Sequence, residues 1–329
     1  LAGLIDHWAD LPVIGFTHLQ PAEPTTLGYR LAQPAQDLLA YYSELNSLEN
    51  GLKGKGFSGA VGTSASFAAL IGEENLAEFQ GRMAKKLGIE FFDVVSQTYP
   101  RIQDYQVLTS LSGLGAVLYK MAFDLRILQS PVFSELAEPF GENQVGSSAM
   151  PFKQNPIKSE KINSLGRYLA QLPRIAWDNA AHSLLERTLD DSANRRTILP
   201  EAFLAIDEML QTCCEIYTGL QVFEYGIKQN LEDYGPFAAT EKLLMVLTKA
   251  GADRQQMHQV LRKHALQAWS AVREGKSNPM VEIVTKDPTL LEFISKDEIT
   301  QAMEGTAYLG DAVERAKKLS AKIKKEISA

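Results

Sequence analysis

Lys153 and Asn155 stand two residues apart in the run Gly146-Ser147-Ser148-Ala149-Met150-Pro151-Phe152-Lys153-Gln154-Asn155-Pro156. An ammonium and a carboxamide at i and i+2 point donors the same way, and two hydroxyls precede them. Gly146 frees the backbone, and Met150-Pro151 breaks the run. Pro156 is placed to open a helix, because its fixed φ suits the first turn and its missing N–H is not needed there. A hydroxyl, a cation and an amide on one loop suit an anionic ligand. Two more stretches hold chemistry. Thr17, His18 and Gln20 are grouped between prolines and a glycine that rule out a long regular helix over 12–26. Downstream, Leu185-Glu186-Arg187-Thr188-Leu189-Asp190-Asp191-Ser192-Ala193-Asn194-Arg195-Arg196 precedes an apolar helical pattern. Asp190, Asp191 or Ser192 can cap that helix. Ser192 and Arg196 share one face at i and i+4. With Arg187, they make a phosphate site out of charge and exposed N–H groups. The plainer reading is a capped surface helix with solvated arginines.

The elements that must carry these residues are helices. Leu27, Leu31, Leu38, Leu45 and Leu48 recur at helical spacing over 27–52, with Pro34 expected to kink the helix. Residues 73–87 form an amphipathic pattern. Over 103–128, Tyr105, Leu108, Leu111, Leu114, Val117, Met121, Leu125 and Leu128 make a near-continuous stripe. That predicts a helix of about 37 Å at ~1.5 Å per residue. A second long helix is expected through Ile162, Leu165, Tyr168, Leu169, Leu172 and Ile175 or Ala176. A third is expected over 198–220, through Phe203, Ile206, Leu210, Cys213 and Ile216. Long apolar-faced helices without strand-like alternation should bundle. The texture changes after about Glu224, where Gly235-Pro236, Gly251, Gly275 and Pro279 break shorter helices. The expected fold is therefore all-α: a long-helix bundle over 1–226 and a smaller helical domain over 227–329. His258 and His264 read as surface or packing residues, and the Lys-rich stretch 314–329 as a solvated end.

The totals narrow the function. The chain has 329 residues, 45% hydrophobic and 22% charged, with 33 Lys and Arg against 40 Asp and Glu, a net charge of −7. That balance argues against a general nucleic-acid or anionic-membrane binder. It leaves room for a small anionic substrate. Cys213 and Cys214 are adjacent, with no metal spacing, and fit a helix in a reducing, cytoplasmic compartment. No apolar run reaches the roughly 18 residues of a membrane span. Leu1 to Asp10 lacks the basic start of a signal peptide. The chain begins without Met and close to a rich motif, so a preceding N-terminal segment is expected. No spacing suggests a metal or an organic cofactor.

Three strings carry a resemblance. Residues 146–156 match the GSSxMPxKxNP signature of the fumarase/aspartase superfamily. THLQPAEPTT at 17–26 and ERTLDDSANRR at 186–196 resemble motifs of its adenylosuccinate lyases. SQTYPR at 96–101 and the segment 241–269 are similar to the same family. The resemblance covers nearly the whole chain and implies β-elimination of fumarate from succinylated purine intermediates. It implies Ser147 as base and His18 as general acid, a task suited to imidazole. Glu160 pairs with that histidine, and Lys153 and Asn155 hold the carboxylate where charge builds up. It implies substrate contacts from Thr17, Gln97 and Met150, and from Thr63 and Ser64 of the glycine-rich stretch 54–66. Arg187, Ser192 and Arg196 would hold the phosphate. Relatives have a lysine near Ser58 and an arginine after the glutamate, where this chain has Lys161. The family's sites are shared between subunits of a homotetramer. Argininosuccinate lyase is the nearest alternative within the superfamily, and a non-catalytic crystallin-like scaffold the alternative outside enzymology.

Overall fold

The computed structural model describes residues 1–141, 150, 152–304 and 308–328. In chain order it begins with helix α1 (Ala2–His7), strands β1 (Pro12–Thr17) and β2 (Gln20–Thr26), and helix α2 (Leu27–Gly51). Strand β3 (Lys53–Gly54) and helix α3 (Ala65–Ile71) lead to α4 (Leu76–Leu87), β4 (Glu90–Phe91) and α5 (Ile102–Leu128). Next come β5 (Leu136–Ala137), α6 (Ile157–Leu169), α7 (Leu172–Ala181), α8 (Asp190–Thr218) and β6 (Gln221–Val222). The remainder is α9 (Glu224–Lys249), α10 (Arg254–Arg273), α11 (Met280–Val284), α12 (Pro288–Leu291), α13 (Lys296–Ala302) and α14 (Ala312–Ile327). The expected all-α class holds. The strands make only two-stranded pairings: β1 with β2, β3 with β4 and β5 with β6.

The chain divides into two compact units, and the division is not the contiguous one expected at 226/227, a border that falls inside α9. One unit is Leu1–Gln36, Ile127–Ala137 and Leu220–Ala329; the other is Asp37–Arg126 and Glu138–Gly219. The physical reason in the first unit is a buried polar node. Glu135 is fully buried and accepts from Arg30 at the start of α2 and from Asn230 Nδ2 of α9 at 2.9 Å. Arg30 also donates to the Ile14 carbonyl of β1. Three segments far apart in sequence thus share one carboxylate. Gly28 tightens the same region, since a Cβ there would lie 2.6 Å from the Ala9 Cα. The core of this unit gathers Leu243, Leu247, Met257, Leu261, Met280, Val284 and Ile299.

Several expectations change here. Residues 12–26, where prolines and a glycine rule out a long helix, form a β-hairpin that the all-α class does not anticipate. Pro21 and Pro24 are tolerated because a two-stranded sheet leaves each strand an open edge. α14 is not a solvated end: Ala316 and Ser320 are buried, and the Ser320 hydroxyl donates to the Ala2 carbonyl at 3.0 Å. Lys324 pairs with Asp6, and that bond above all holds the Asp6 carboxyl below its usual value. His258 is exposed, and His264 packs with its Nε2 2.5 Å from Asp287.

In the second unit the stripe on α5 packs as expected, with Leu108, Leu111, Leu114, Met121 and Leu125 buried. Gly115 lets α6 close in, because a Cβ there would meet Leu169 Cδ2 at 2.7 Å. The second long helix is two helices. It stops at Leu169 and restarts at Leu172, where Pro173 suits the first turn. α8 starts eight residues earlier than the apolar pattern suggests and runs through Pro200. Ile206, Cys213 and Ile216 are core, but Phe203 and Leu210 face outward at 52% and 36% exposure. Burial pushes the Cys213 thiol up to about 12, so it is inert packing, while Cys214 is exposed and unpaired.

Replacing Glu135 with alanine strands Arg30 as an uncompensated charge. We expect urea denaturation to show a loss of about 3 kcal/mol. A loss below about 1 kcal/mol contradicts the role given to this node.

Candidate active site

Ser147 lies outside the described residues, as do Gly146, Ser148 and Ala149. The helix start on the C-terminal side of this loop is well anchored. Glu138 is buried, and its carboxylate accepts from the N–H groups of Lys158 and Ser159 and from the Ser159 hydroxyl, each at 2.9 Å. A residue some twenty positions upstream thus satisfies the open N–H groups of α6. Pro156 stands at the N-cap with no side-chain cap of its own. Lys153 and Met150 are exposed, Asn155 is half-buried, and the Lys153 N–H donates to the Met150 carbonyl at 2.9 Å. Glu160 sits in the first turn of α6, its carboxylate 3.7 Å from Arg126 Nη2. Lys161 pairs with Glu208 at 2.5 Å, both side chains about half exposed.

His18 occupies the tip of the β1–β2 hairpin, where Thr17 pairs with Gln20. His18 and Leu19 both have positive φ, 54° and 57°. Two consecutive left-handed residues are what a two-residue hairpin turn demands, and Asn-Gly usually supplies them. A non-glycine residue there costs roughly 1–2 kcal/mol. Thr17, His18 and Leu19 are exposed at this tip. In the other unit, the glycine-rich stretch uses positive φ at Gly56, Gly59 and Gly62, and at Ser64. Lys55 Nζ donates to the Gly59 carbonyl at 2.7 Å and braces the loop from within. Thr63 is exposed and Ser64 half-buried at the start of α3.

The densest chemistry joins the stretch 96–101 to 186–196. The Gln97 N–H donates to the Glu186 carbonyl at 3.1 Å, leaving the Gln97 side chain exposed. Asp191 does not cap α8, whose N-cap is Leu189 with no side-chain bond. Instead it is buried between Arg101 Nε at 2.6 Å and Arg187 Nη1 at 2.8 Å. Burial pushes its carboxyl upward, but the two guanidiniums outweigh that and hold it below the ordinary carboxylate range. Arg195, which no motif singled out, donates Nε to Asp104 at 2.5 Å and Nη2 to the Tyr99 hydroxyl at 2.6 Å. Tyr99 in turn donates to Asp104 at 2.6 Å. Burial first, then that bond, raises the Tyr99 phenol. The signal for it is in the spacing: Arg187, Asp191 and Arg195 stand at successive i, i+4 positions. Ser192 is half-buried beside this network, while Arg196 is exposed and has no ion-pair partner among the described residues. Alongside opens a pocket of about 410 Å³ lined by Tyr99, Arg101, Ile102, Trp177 and Ser183, among others. Among the described residues no cluster of His, Cys, Asp and Glu is placed to hold a metal ion.

The Asp191 carboxyl predicts a pH signature. Its folded value lies below the unfolded one, near 3.9. The stabilisation is therefore present above about pH 4 and lost as pH falls through the folded value. Asp191→Asn should lower stability by about 3 kcal/mol at pH 7 in denaturant titrations. The gap to wild type should shrink as the pH drops below about 4, and parallel pH profiles contradict the pairing.

Comparison with known proteins completes this picture. Residues 6–168 match a family model described as lyase, and residues 236–319 match adenylosuccinate lyase C-terminus. The adenylosuccinate lyase of Saccharomyces cerevisiae is 37% identical over 324 residues, 97% of this chain and 66% of that protein. That of Archaeoglobus fulgidus is 31% identical over 318 residues, covering 95% and 68%. The 3-carboxy-cis,cis-muconate lactonizing enzyme of Pseudomonas putida superposes with a TM-score of 0.83 at 23% identity, over 98% of this chain and 69% of that one, a likeness of fold. The chain spans just under two thirds of the yeast protein's length. On the shared strings, the matched models and these relatives, the chain belongs to the adenylosuccinate lyase family of the fumarase/aspartase superfamily.

Proposed function

We propose that this protein is an adenylosuccinate lyase, eliminating fumarate from adenylosuccinate to give AMP and from its succinylated carboxamide-imidazole relative in purine synthesis. The observation that carries the reading is the Arg101–Asp191–Arg187 bridge, because it seats the ERTLDDSANRR string beside the QTYPR string in a cationic corner. Three arginines meet two aspartates there, one positive charge in excess. Exposed Arg196 and half-buried Ser192 project from the same helix start. A phosphate fits that corner; argininosuccinate has none to offer. A crystallin-like scaffold would have no use for a strained histidine tip or for free cations.

The chemistry removes a weakly acidic proton from the succinyl carbon next to a carboxylate, and the electron pair moves to expel the purine nitrogen. Ser147 takes the proton, and Lys153 with Asn155 steadies the doubly charged carboxylate that forms. His18 protonates the departing nitrogen as the C–N bond breaks, so fumarate and a neutral amine leave together. Glu160 keeps the imidazole oriented and charged. Thr63 and Ser64 touch the substrate carboxylates, Thr17, Gln97 and Met150 contact the substrate, and Arg187, Ser192 and Arg196 take the phosphate. The sites are shared between subunits of a homotetramer, and the enzyme works in the cytoplasm. Two thiols that form no disulfide support a reducing compartment. No helix of the described residues is long and apolar enough to cross a membrane.

Adding adenylosuccinate to the full-length protein should give the ultraviolet absorbance change of its cleavage. Ser147→Ala and His18→Ala should each lose at least about a hundredfold in rate. Mixed and reassembled, the two variants should regain part of the activity, because some sites then receive both intact residues. No recovery on mixing argues against shared sites, and full activity of Ser147→Ala sinks the assignment of the base.

A further inference from the structure

The pocket beside the ion network has a cationic wall that the proposed phosphate residues do not use. Arg101 is 9% exposed, yet it lines this pocket. Its Nε is spent on Asp191, while its two Nη groups have no hydrogen-bond partner among the described residues and are not sealed from solvent. Its guanidinium lies 5.0 Å from the Tyr99 ring centroid, and a guanidinium at a pocket wall with both Nη groups unbonded is a ready oxyanion receptor. Asp191 answers Arg101 and Arg187 together, so the two arginines keep one positive charge between them, which this pocket shares with the phosphate corner. No lining side chain is acidic. The Thr98 and Ser183 hydroxyls also line the pocket and make no hydrogen bonds with described residues, so both can donate to the same anion. The remaining wall is apolar: Ile102, Ala180, Ala181 and the indole of Trp177. At about 410 Å³ the space falls in the range of small-molecule sites, roughly 300–1,000 Å³.

We propose that Arg101, Thr98 and Ser183 form a second anion site, taking the phosphate of a phosphomonoester whose apolar or aromatic body rests against Trp177 and the α7 alanines. Nucleoside monophosphates have this chemistry and size. The site is separate from Arg187, Ser192 and Arg196, none of which lines the pocket. It stands whether or not the proposed reaction is right.

The test is equilibrium dialysis of the full-length protein against AMP. Arg101→Lys keeps a charge for Asp191 but loses the fork, and should weaken this site by about tenfold or more. Ala181→Phe fills the pocket from a position that touches none of the ion pairs, so it guards against misfolding as the explanation. If the active site also binds AMP, wild type should hold two molecules per chain, and Arg196→Ala and Ala181→Phe one each. If the active-site reading fails, wild type should hold one and Ala181→Phe none. Adenosine, lacking the phosphate, should not occupy this site. Unchanged stoichiometry and affinity in both Arg101→Lys and Ala181→Phe overturns the proposal, as does equal binding of adenosine.

Discussion

Asp191 shared between two guanidiniums is the interaction that the candidate site depends on. Taking three charges out of water is costly, and the cost is offset only when geometry is close and every charge is answered. Here both contacts are under 3 Å, and the carboxylate sits in the first turn of α8, where exposed N–H groups favour negative charge. Asp104 repeats the arrangement in the first turn of α5, answered by Arg195 and Tyr99. The starts of two long helices are therefore cross-pinned by two buried acids and three arginines. Sequence segments some ninety residues apart become one surface with its donors fixed in direction.

That pinning explains why rods of this length are useful. α5 and α8 hold 27 and 29 residues, and their packed stripes set the distance between their first turns. Gly115 and Gly166 keep the neighbouring helix close enough for those stripes to meet. The chemistry then sits at helix starts and on short connections. Glu138, holding the start of α6, does the same service for the signature stretch. The hairpin carrying His18 is held differently, by backbone pairing that forces two residues into an unfavourable conformation at its tip.

The long-helix pattern and the motif strings are legible in the sequence, because a stripe at 3.6-residue spacing is local and repeats. The interruption at 170–171 is hidden by the continuity of that stripe, although Pro173 can be read as a helix opener. The hairpin is obscured because prolines at 21 and 24 hide its strand character, and only an unshared edge makes them acceptable. Asp191 reads as a cap because a first-turn aspartate usually is one; its true partners lie far off in sequence or on a face counted from the wrong arginine. Arg196 stands out in the motif and Arg195 does not, yet it is Arg195 that continues the spacing from Arg187 and Asp191. The discontinuous first unit rests on Arg30, Glu135 and Asn230, single polar residues that leave no periodic trace.

On the proposed reaction, the cationic corner exists to hold a phosphate while fumarate is expelled elsewhere on the same substrate. The most direct measurement compares kcat/KM for adenylosuccinate with that for its dephosphorylated succinyl-nucleoside, in wild type and in Arg196→Ala. A phosphate-holding corner predicts a large preference for the phosphorylated substrate, at least about a hundredfold from charge-assisted bonds, that collapses in the variant. Equal efficiency with both substrates, or a preference that survives intact in Arg196→Ala, would contradict it.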